Sequence, residues 1–287
     1  MIYILTINYN SSALICQLIE SLPEPQSPEY QIFIINNSPE DEAIFKLQSS
    51  RVKILEPNMN LGFGGGCNFG ISHIASQDPQ AVIWLLNPDT YFPKQPQKQY
   101  WKLINQIWQE NSQLSILGTL IETPIGNIWF SQGFFNKHTG RIIDVQELMP
   151  SDNGLVETDW ISGCSLMINL EKFKNCPYFD EAFFLYYEDS DFCLRYRALG
   201  HQLAVSSELK IIHQPSSITN KNQYAKLFHS SFSYLYFLQR HTSQLVFLIC
   251  LSKFFLNTVF KLITQPQIGR AKYDGLISFI KKMTPDV

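Results

Sequence analysis

Residues 82–90 read VIWLLNPDT. The apolar run Val82 to Leu86 stops on Asn87-Pro88-Asp89. A short apolar run closed by turn residues reads as a buried strand. Its last act is to present an amide and a carboxylate two residues apart. Working outward, Tyr3–Ile7, Gln31–Ile35 and Val52–Leu55 have the same strand-like character. Between them Ser12–Leu22, Glu40–Gln48, Gly65–Ala75 and Lys98–Glu110 carry helical spacing. This alternation predicts an α/β fold, Rossmann-like, with a mostly parallel sheet flanked by helices on both faces. Ligands of such sheets meet the carboxyl ends of the strands. The loops TINYN (6–10), NNS (36–38), NMNLGFGGG (58–66) and NPDT (87–90) therefore form the candidate binding rim.

The chain has 287 residues, 45% hydrophobic and 16% charged, enough for one large domain or a domain with an appendage. Six scattered cysteines (16, 67, 164, 176, 193, 250) without a CxxC pair read as reduced thiols and exclude a disulfide framework. The start, MIYILTINYN, lacks a basic n-region, so no signal peptide and a cytoplasmic protein are expected. The net charge of −3 hides an asymmetry. Residues 1–220 hold 13 Lys/Arg against 23 Asp/Glu, and residues 221–287 hold 9 against 2. Two domains follow: residues 1–215, and a helical, basic and apolar C-terminal extension over residues 216–287. A basic tail on an acidic body suggests an anionic partner. Its bases are spread among apolar residues and form no stripe, which argues against nucleic acid. Leu245–Ile263 contains Lys253 and Lys261 eight residues apart. That pattern suits an amphipathic helix lying on an anionic membrane surface, or one packing on protein, including a second copy in a homodimer.

The middle, Ser115 to Asp159, shows no clear helix and is expected to form irregular hairpins. Order returns with apolar Ile161–Ile168, a helix around 189–199 and short strands up to His213. The glycine cluster NLGFGGGCNFG (60–70) fits neither the dinucleotide fingerprint nor a P-loop. It is either a ligand-hugging loop or a tight turn before a helix. The segment YFDEAFFLYYEDSDFCLR (178–195) interleaves five acids with aromatic residues, the setting in which one carboxylate is held as a general base. Glu181 or Asp191 can also be read as only satisfying a helix start, and the whole set as caps and ion pairs. His213 ends a strand-like run on the same rim as Asp89.

In order, TINYN, NNS, NLGFGGGCNFG, LLNPD, GCSLMI, the acidic-aromatic segment and a strand-end histidine resemble the family 2 glycosyltransferases of GT-A fold. Within these they resemble the bacterial rhamnosyltransferase-like group. The resemblance covers residues 2–215. It implies an inverting, metal-dependent transferase moving a sugar, rhamnose in that group, from a nucleotide-diphosphate sugar to a glycan or lipid-linked acceptor in cell-surface polysaccharide synthesis. It implies donor contacts from Thr6, Asn8, Asn10, Asn36, Asn60, Gly62, Phe63, Asn68, Asn87 and Asp89. A divalent cation, Mg2+ or Mn2+, would be held by Asp89 and His213. Asp189 would be the base, paired with Glu188, and Gly163, Tyr187 and Arg195 would lie on the acceptor side. Asn36 stands where the family commonly has Asp, and Asn87 fills the first position of its DxD. A lipid-linked acceptor would place the enzyme peripherally on the inner face of the cell membrane. A nucleotidyltransferase of similar fold would want basic residues after the first strand, and TINYNSS has none. A non-catalytic sugar-nucleotide or glycan-binding subunit is the other alternative.

Overall fold

The computed structural model of the protein describes residues 1–23, 30–57, 59–94, 100–147, 151, 153–215 and 222–284. Its first half alternates as expected. Strands β1 (Ile2–Asn8), β2 (Tyr30–Asn36), β3 (Val52–Leu55) and β4 (Val82–Leu86) are interleaved with helices α1 (Ser12–Ser21) and α2 (Gly62–Gln77) and a 3-10 turn at Glu42–Leu47. Then come β5 (Thr90–Tyr91) and α3 (Tyr100–Glu110). The expected first residues of α3, 98 and 99, lie outside the described residues. The second half contributes β6 (Leu114–Glu122), β7 (Ile128–Phe130), β8 (Gln132–Asn136), β9 (Arg141–Val145), β10 (Leu155–Glu157) and β11 (Ser165–Asn169). It continues with α4 (Glu188–Ala198), β12 (Gln202–His213), α5 (Gln223–His241), α6 (Gln244–Thr264) and α7 (Pro266–Met283).

The main sheet runs in the order β10-β12-β6-β11-β4-β1-β2-β3, with β5 beside β12 and β7 beside β6. The ladders β3-β2-β1-β4 are parallel. Strand β11 is antiparallel to both β4 and β6, and β12 is parallel to β6. Six strands therefore point the same way, and their carboxyl ends share one edge.

Alternate residues of each strand face opposite sides. Ile2, Ile4, Ile32, Ile34, Trp84 and Leu86 pack with Ile15 and Leu18 of α1 and Trp101 and Ile104 of α3. Tyr3, Leu5, Ile7, Phe33, Ile83 and Leu85 pack with Cys67, Ile71 and Ile74 of α2 and Phe192 of α4. Burial on both faces is why these strands read as unbroken apolar runs.

Two expectations change. The middle is not all hairpins: Leu114–Glu122 is a nine-residue strand at the heart of the sheet. The short strands before His213 are one twelve-residue strand with a bulge between Ser206 and Lys210. Hairpin β8-β9 forms a small second sheet. It packs through Phe135 and Ile142 on a third cluster built by α5, α6 and α7 around Leu235, Phe237, Leu238, Leu276 and Phe279.

Candidate active site

Strand β4 ends at the common edge, and Asp89 follows it on a tight turn in which the Thr90 N–H donates to the Asn87 carbonyl at 3.1 Å. His213 pairs with Thr90 across β12 and β5, and the Gln214 N–H donates to the Asp89 carbonyl at 2.9 Å. These backbone ties bring His213 Nε2 to 3.3 Å from Asp89 Oδ1, with both side chains buried. Trp129 closes one side of the imidazole, its ring centroid 4.5 Å away. Burial opposes protonation of His213, but the Cys164 sulfur and the Asp89 carboxylate outweigh it and push the pKa up to about 10.

Cys164 joins this pair to the second acidic group. Asn87 donates to its Sγ at 3.2 Å from Nδ2 and to its carbonyl at 3.1 Å from the backbone. The sulfur stands 3.8 Å from His213 Nε2. One residue earlier, the Gly163 N–H donates to Asp189 Oδ2 at 2.9 Å. Asp189 Oδ1 accepts from the Ser190 N–H at 2.7 Å. Burial raises the Asp189 pKa above its ordinary value, and these N–H groups oppose the rise. Glu188 is buried, its Oε2 has no hydrogen-bond partner, and burial plus the Asp189 charge hold it well above the carboxylate range. Two neighbouring carboxylates with unequal hydrogen bonding are thereby driven apart, the better hydrogen-bonded one left as the stronger acid.

The turn that delivers this pair is strained. Tyr186 and Tyr187 both adopt left-handed backbone, φ 71° and 66°. Side-chain-bearing residues hold that conformation only where their surroundings fix it. Here α5 does so. Ser233 Oγ donates to the Leu185 carbonyl at 2.9 Å, and the Tyr187 ring packs on Tyr234 and Phe237. Farther along α4, fully buried Asp191 pairs with Arg195 Nε at 2.6 Å, His241 Nε2 at 2.8 Å and Arg240 Nε at 3.3 Å. Asp191 is thus a structural anchor between α4 and α5.

The glycine cluster serves packing more than looping. Gly62 has φ +73°, and a Cβ there would run into the Phe184 carbonyl. Its N–H donates to Asn60 Oδ1 at 2.9 Å and its carbonyl accepts from Asn37 Nδ2 at 2.8 Å. The other glycines lie inside α2. A Cβ on Gly70 would strike Leu5, and one on Gly66 would crowd Ile7 and Asn37, so the helix lies close on the sheet. Phe63 packs on Gly163, whose missing Cβ leaves room for its ring.

The remaining candidates divide. Thr6, Asn8 and Asn36 are buried. Asn8 Nδ2 donates to Asn36 Oδ1 at 2.9 Å and to Asp41 at 3.1 Å, which fixes the ends of β1 and β2 side by side. Thr6 Oγ1 and Asn36 Nδ2 keep unused hydrogen-bonding capacity. Asn10, at φ 49°, reaches Glu40 at 3.0 Å on the open rim. Asn68 is occupied in both directions by the Phe179 backbone, at 2.7 and 2.9 Å. Arg195 is held by Asp191 and donates to the Tyr178 carbonyl at 2.8 Å. The structure therefore brings together Asp89, Asn87, His213, Gly163, Glu188, Asp189 and Phe63, while the side chains of Asn68 and Arg195 are engaged by Phe179 and by Asp191 and Tyr178. Sequence reasoning missed Cys164, Trp129, Asn37 and the α5 partners of Asp191. GCSLMI was visible as a motif, but nothing local singled out its sulfur.

Among the described residues no three His, Cys, Asp or Glu side chains converge as a ready metal site. Asp89 and His213 supply a carboxylate oxygen and an imidazole nitrogen 3.3 Å apart. That spacing suits neighbouring ligands of a cation with bonds of about 2.1 Å. The pair fits a divalent ion that displaces the proton of the His213 imidazolium and takes its other ligands from substrate oxygens and water.

Residues 3–136 match the sequence family described as Glycosyl transferase family 2. The chain is 23% identical over 291 residues to the low-salt glycan biosynthesis hexosyltransferase Agl10 of Haloferax volcanii, covering 96% of this chain and 86% of that protein. Three solved structures share its fold. GalNAc-T7 with UDP, GalNAc and Mn2+ superposes with a TM-score of 0.61 at 12% identity; it covers 83% of this chain, which spans only 47% of that one. Mannosyltransferase PcManGT from Pyrobaculum calidifontis, with GDP-Man and Mn2+, gives 0.57 at 8% identity over 98% of this chain and 87% of its own. TarS 1-349 of S. aureus gives 0.52 at 15% over 99% and 73%.

Proposed function

We propose, from the premise that the chain is a glycosyltransferase with a family 2 domain, that it transfers a hexose from a nucleotide-diphosphate sugar by single displacement with inversion. The observation that carries this reading is the short bridge Gly163–Cys164, which ties the Asp189 carboxylate to the Asp89–His213 pair on one cleft wall. Asp189 takes the proton of the attacking acceptor hydroxyl. Its raised pKa makes it a better base than an ordinary aspartate, and the N–H bonds from Gly163 and Ser190 keep its oxygens aimed. Burial and the neighbouring Asp189 charge favour the protonated form of Glu188, which limits the charge competing with Asp189. Asp89 and His213 would hold a divalent ion, Mg2+ or Mn2+, which when bound would supply charge stabilisation for a diphosphate leaving group. The buried ends of β1 and β2 and the Asn60–Phe63 loop form the donor wall, and Asn10 meets the nucleotide at its open rim.

The resemblance to the rhamnosyltransferase-like group favours rhamnose as the sugar and a glycan or lipid-linked acceptor at the cell surface. Solved relatives holding UDP or GDP-Man with Mn2+ support a nucleotide-sugar donor and a divalent cation. We place the transferase unit at residues 1–215 together with α5, because α5 fixes the turn that carries Asp189; α6 and α7 form the remaining extension.

The test is donor turnover in Asp189→Asn and Asp89→Ala proteins. Removing the base lowers kcat by about 10²–10⁴-fold while donor binding persists, and removing Asp89 weakens donor binding in the presence of Mn2+. Full activity in both variants overturns the assignment.

A further inference from the structure

We propose that the outward side of α6 is a lipid-binding face that lies in the plane of an anionic membrane surface and does not cross it. Helix α6 has 21 residues and contains an 18-residue window with a mean hydropathy of 1.9, yet only 11% of that window is buried. Only Cys250 and Thr258 are fully covered. Leu245, Leu256, Phe260 and Ile263 expose 69%, 68%, 59% and 77% of their surfaces. An apolar helix face is normally covered by protein or by lipid. A contiguous exposed patch of this kind marks an interaction surface.

By length the helix could span a bilayer, since 21 residues extend about 31 Å. Its neighbours forbid that. Helix α5 leads into one end and α7 leaves the other, and α5 and α7 pack on each other. A Cβ on Gly275 of α7 would press into the Phe228 carbonyl and Ser231 of α5, and Leu276 and Phe279 share a cluster with Leu235 and Leu238. Helix α7 also folds back on α6, with Gly269 against the Lys261–Leu262 backbone. For α6 to cross, α7 would enter the bilayer with Arg270, Lys272 and Asp274, and α5 would be pulled from Asp180 and Asp191. An in-plane helix keeps every one of these contacts.

Charge selects the occupant. Helix α6 contains no acid, and Lys253 sits among its exposed apolar residues. Its aliphatic stem can bury while the ammonium reaches a phosphate. Residues 221–287 carry 9 Lys/Arg against 2 Asp/Glu, so a second copy would bring like charge against like. Residues 1–220, with 13 against 23, are repelled by the same anionic surface, which turns the catalytic body outward and the helices inward. The inference is independent of the reaction chemistry.

The full chain is tested by co-sedimentation with phosphatidylcholine vesicles, with and without phosphatidylserine, over a salt series. Binding is expected only with phosphatidylserine, falling as salt rises. Leu256→Asp combined with Phe260→Asp abolishes it, and Lys253→Glu alone weakens it about tenfold. Both variants replace exposed side chains, so they should match the wild type in thermal melting and in turnover with a water-soluble acceptor. No binding to phosphatidylserine vesicles, or binding untouched by the variants, overturns the proposal. Resistance to alkaline carbonate extraction would mean that α6 crosses the bilayer. A dimer in solution that the double variant dissolves would mean that a second copy covers the face.

Discussion

Replacing Asp191 with Asn keeps the volume and removes one charge from the join between α4 and α5. Asp191 is 0% exposed, while its partners Arg195, His241 and Arg240 are 17%, 14% and 33% exposed. Breaking a buried pair by removing one member costs about 3–5 kcal/mol. Partial exposure lets the cations regain water, so the lower end, about 3 kcal/mol, is expected. That is a large part of the roughly 5–15 kcal/mol of a typical domain, yet leaves the protein folded. Urea titration at neutral pH measures it. Burial alone would raise the Asp191 pKa, but the hydrogen bond from His241 and the Arg195 charge leave it below the ordinary value. A depressed folded pKa stabilises above the unfolded value and loses that contribution as pH falls through the folded one. The gap between wild type and Asp191→Asn should therefore be full above about pH 4 and close below it. The same variant should lower kcat, because α4 carries Asp189 on its first turn. A gap under about 1 kcal/mol at neutral pH, or one unchanged into strong acid, would refute the anchoring role.

Other outcomes follow from the site. Because burial raises the Asp189 pKa, the acid limb of kcat/KM should lie above the ordinary carboxylate range near 4 and move with Asp189 variants, as a pH–rate profile would show. Chelation with EDTA should abolish turnover, and added Mn2+ or Mg2+ should restore it, with metal affinity by calorimetry reduced in His213→Ala. Gly62→Ala should destabilise by about 1–3 kcal/mol and raise the donor KM. Gly126→Ala, at φ +84° with nothing within 4 Å of its added Cβ, should cost about 1 kcal/mol and leave KM alone, a contrast readable by thermal melting and kinetics.

The sequence revealed what depends on local repetition. Strands β1, β2 and β4 are apolar on both faces and therefore continuous, and Asp89 and His213 stood at strand ends. Strand β6 was hidden because Gly118 and Thr119 interrupt its apolar run. Gly118 lies under Ile161 and Val205, and Thr119 donates to Ser165 Oγ at 2.8 Å, so sheet burial there does not look apolar. The split of the glycine cluster into one turn glycine and several packing glycines depends on Leu5, Ile7 and Phe184, which are distant in sequence. The α5 clamp was invisible for the same reason. His241 and Asp191 lie 50 residues apart, and neither carries a local pattern that names the other.

The Asp191 anchor also sets an order in time. A ribosome makes Glu188, Asp189 and Asp191 some fifty residues before it makes Arg240 and His241. At about 5–20 residues per second, Asp191 has only Arg195 of its three cationic partners for several seconds. Until α5 emerges, Asp191 lacks His241 and Arg240, and the turn at Tyr186 and Tyr187 lacks the Ser233, Tyr234 and Phe237 contacts that support its left-handed backbone. A nascent chain that already has its whole sheet would still be unable to transfer sugar. Competence arrives late in synthesis, with the same helix that leads into the lipid-facing one.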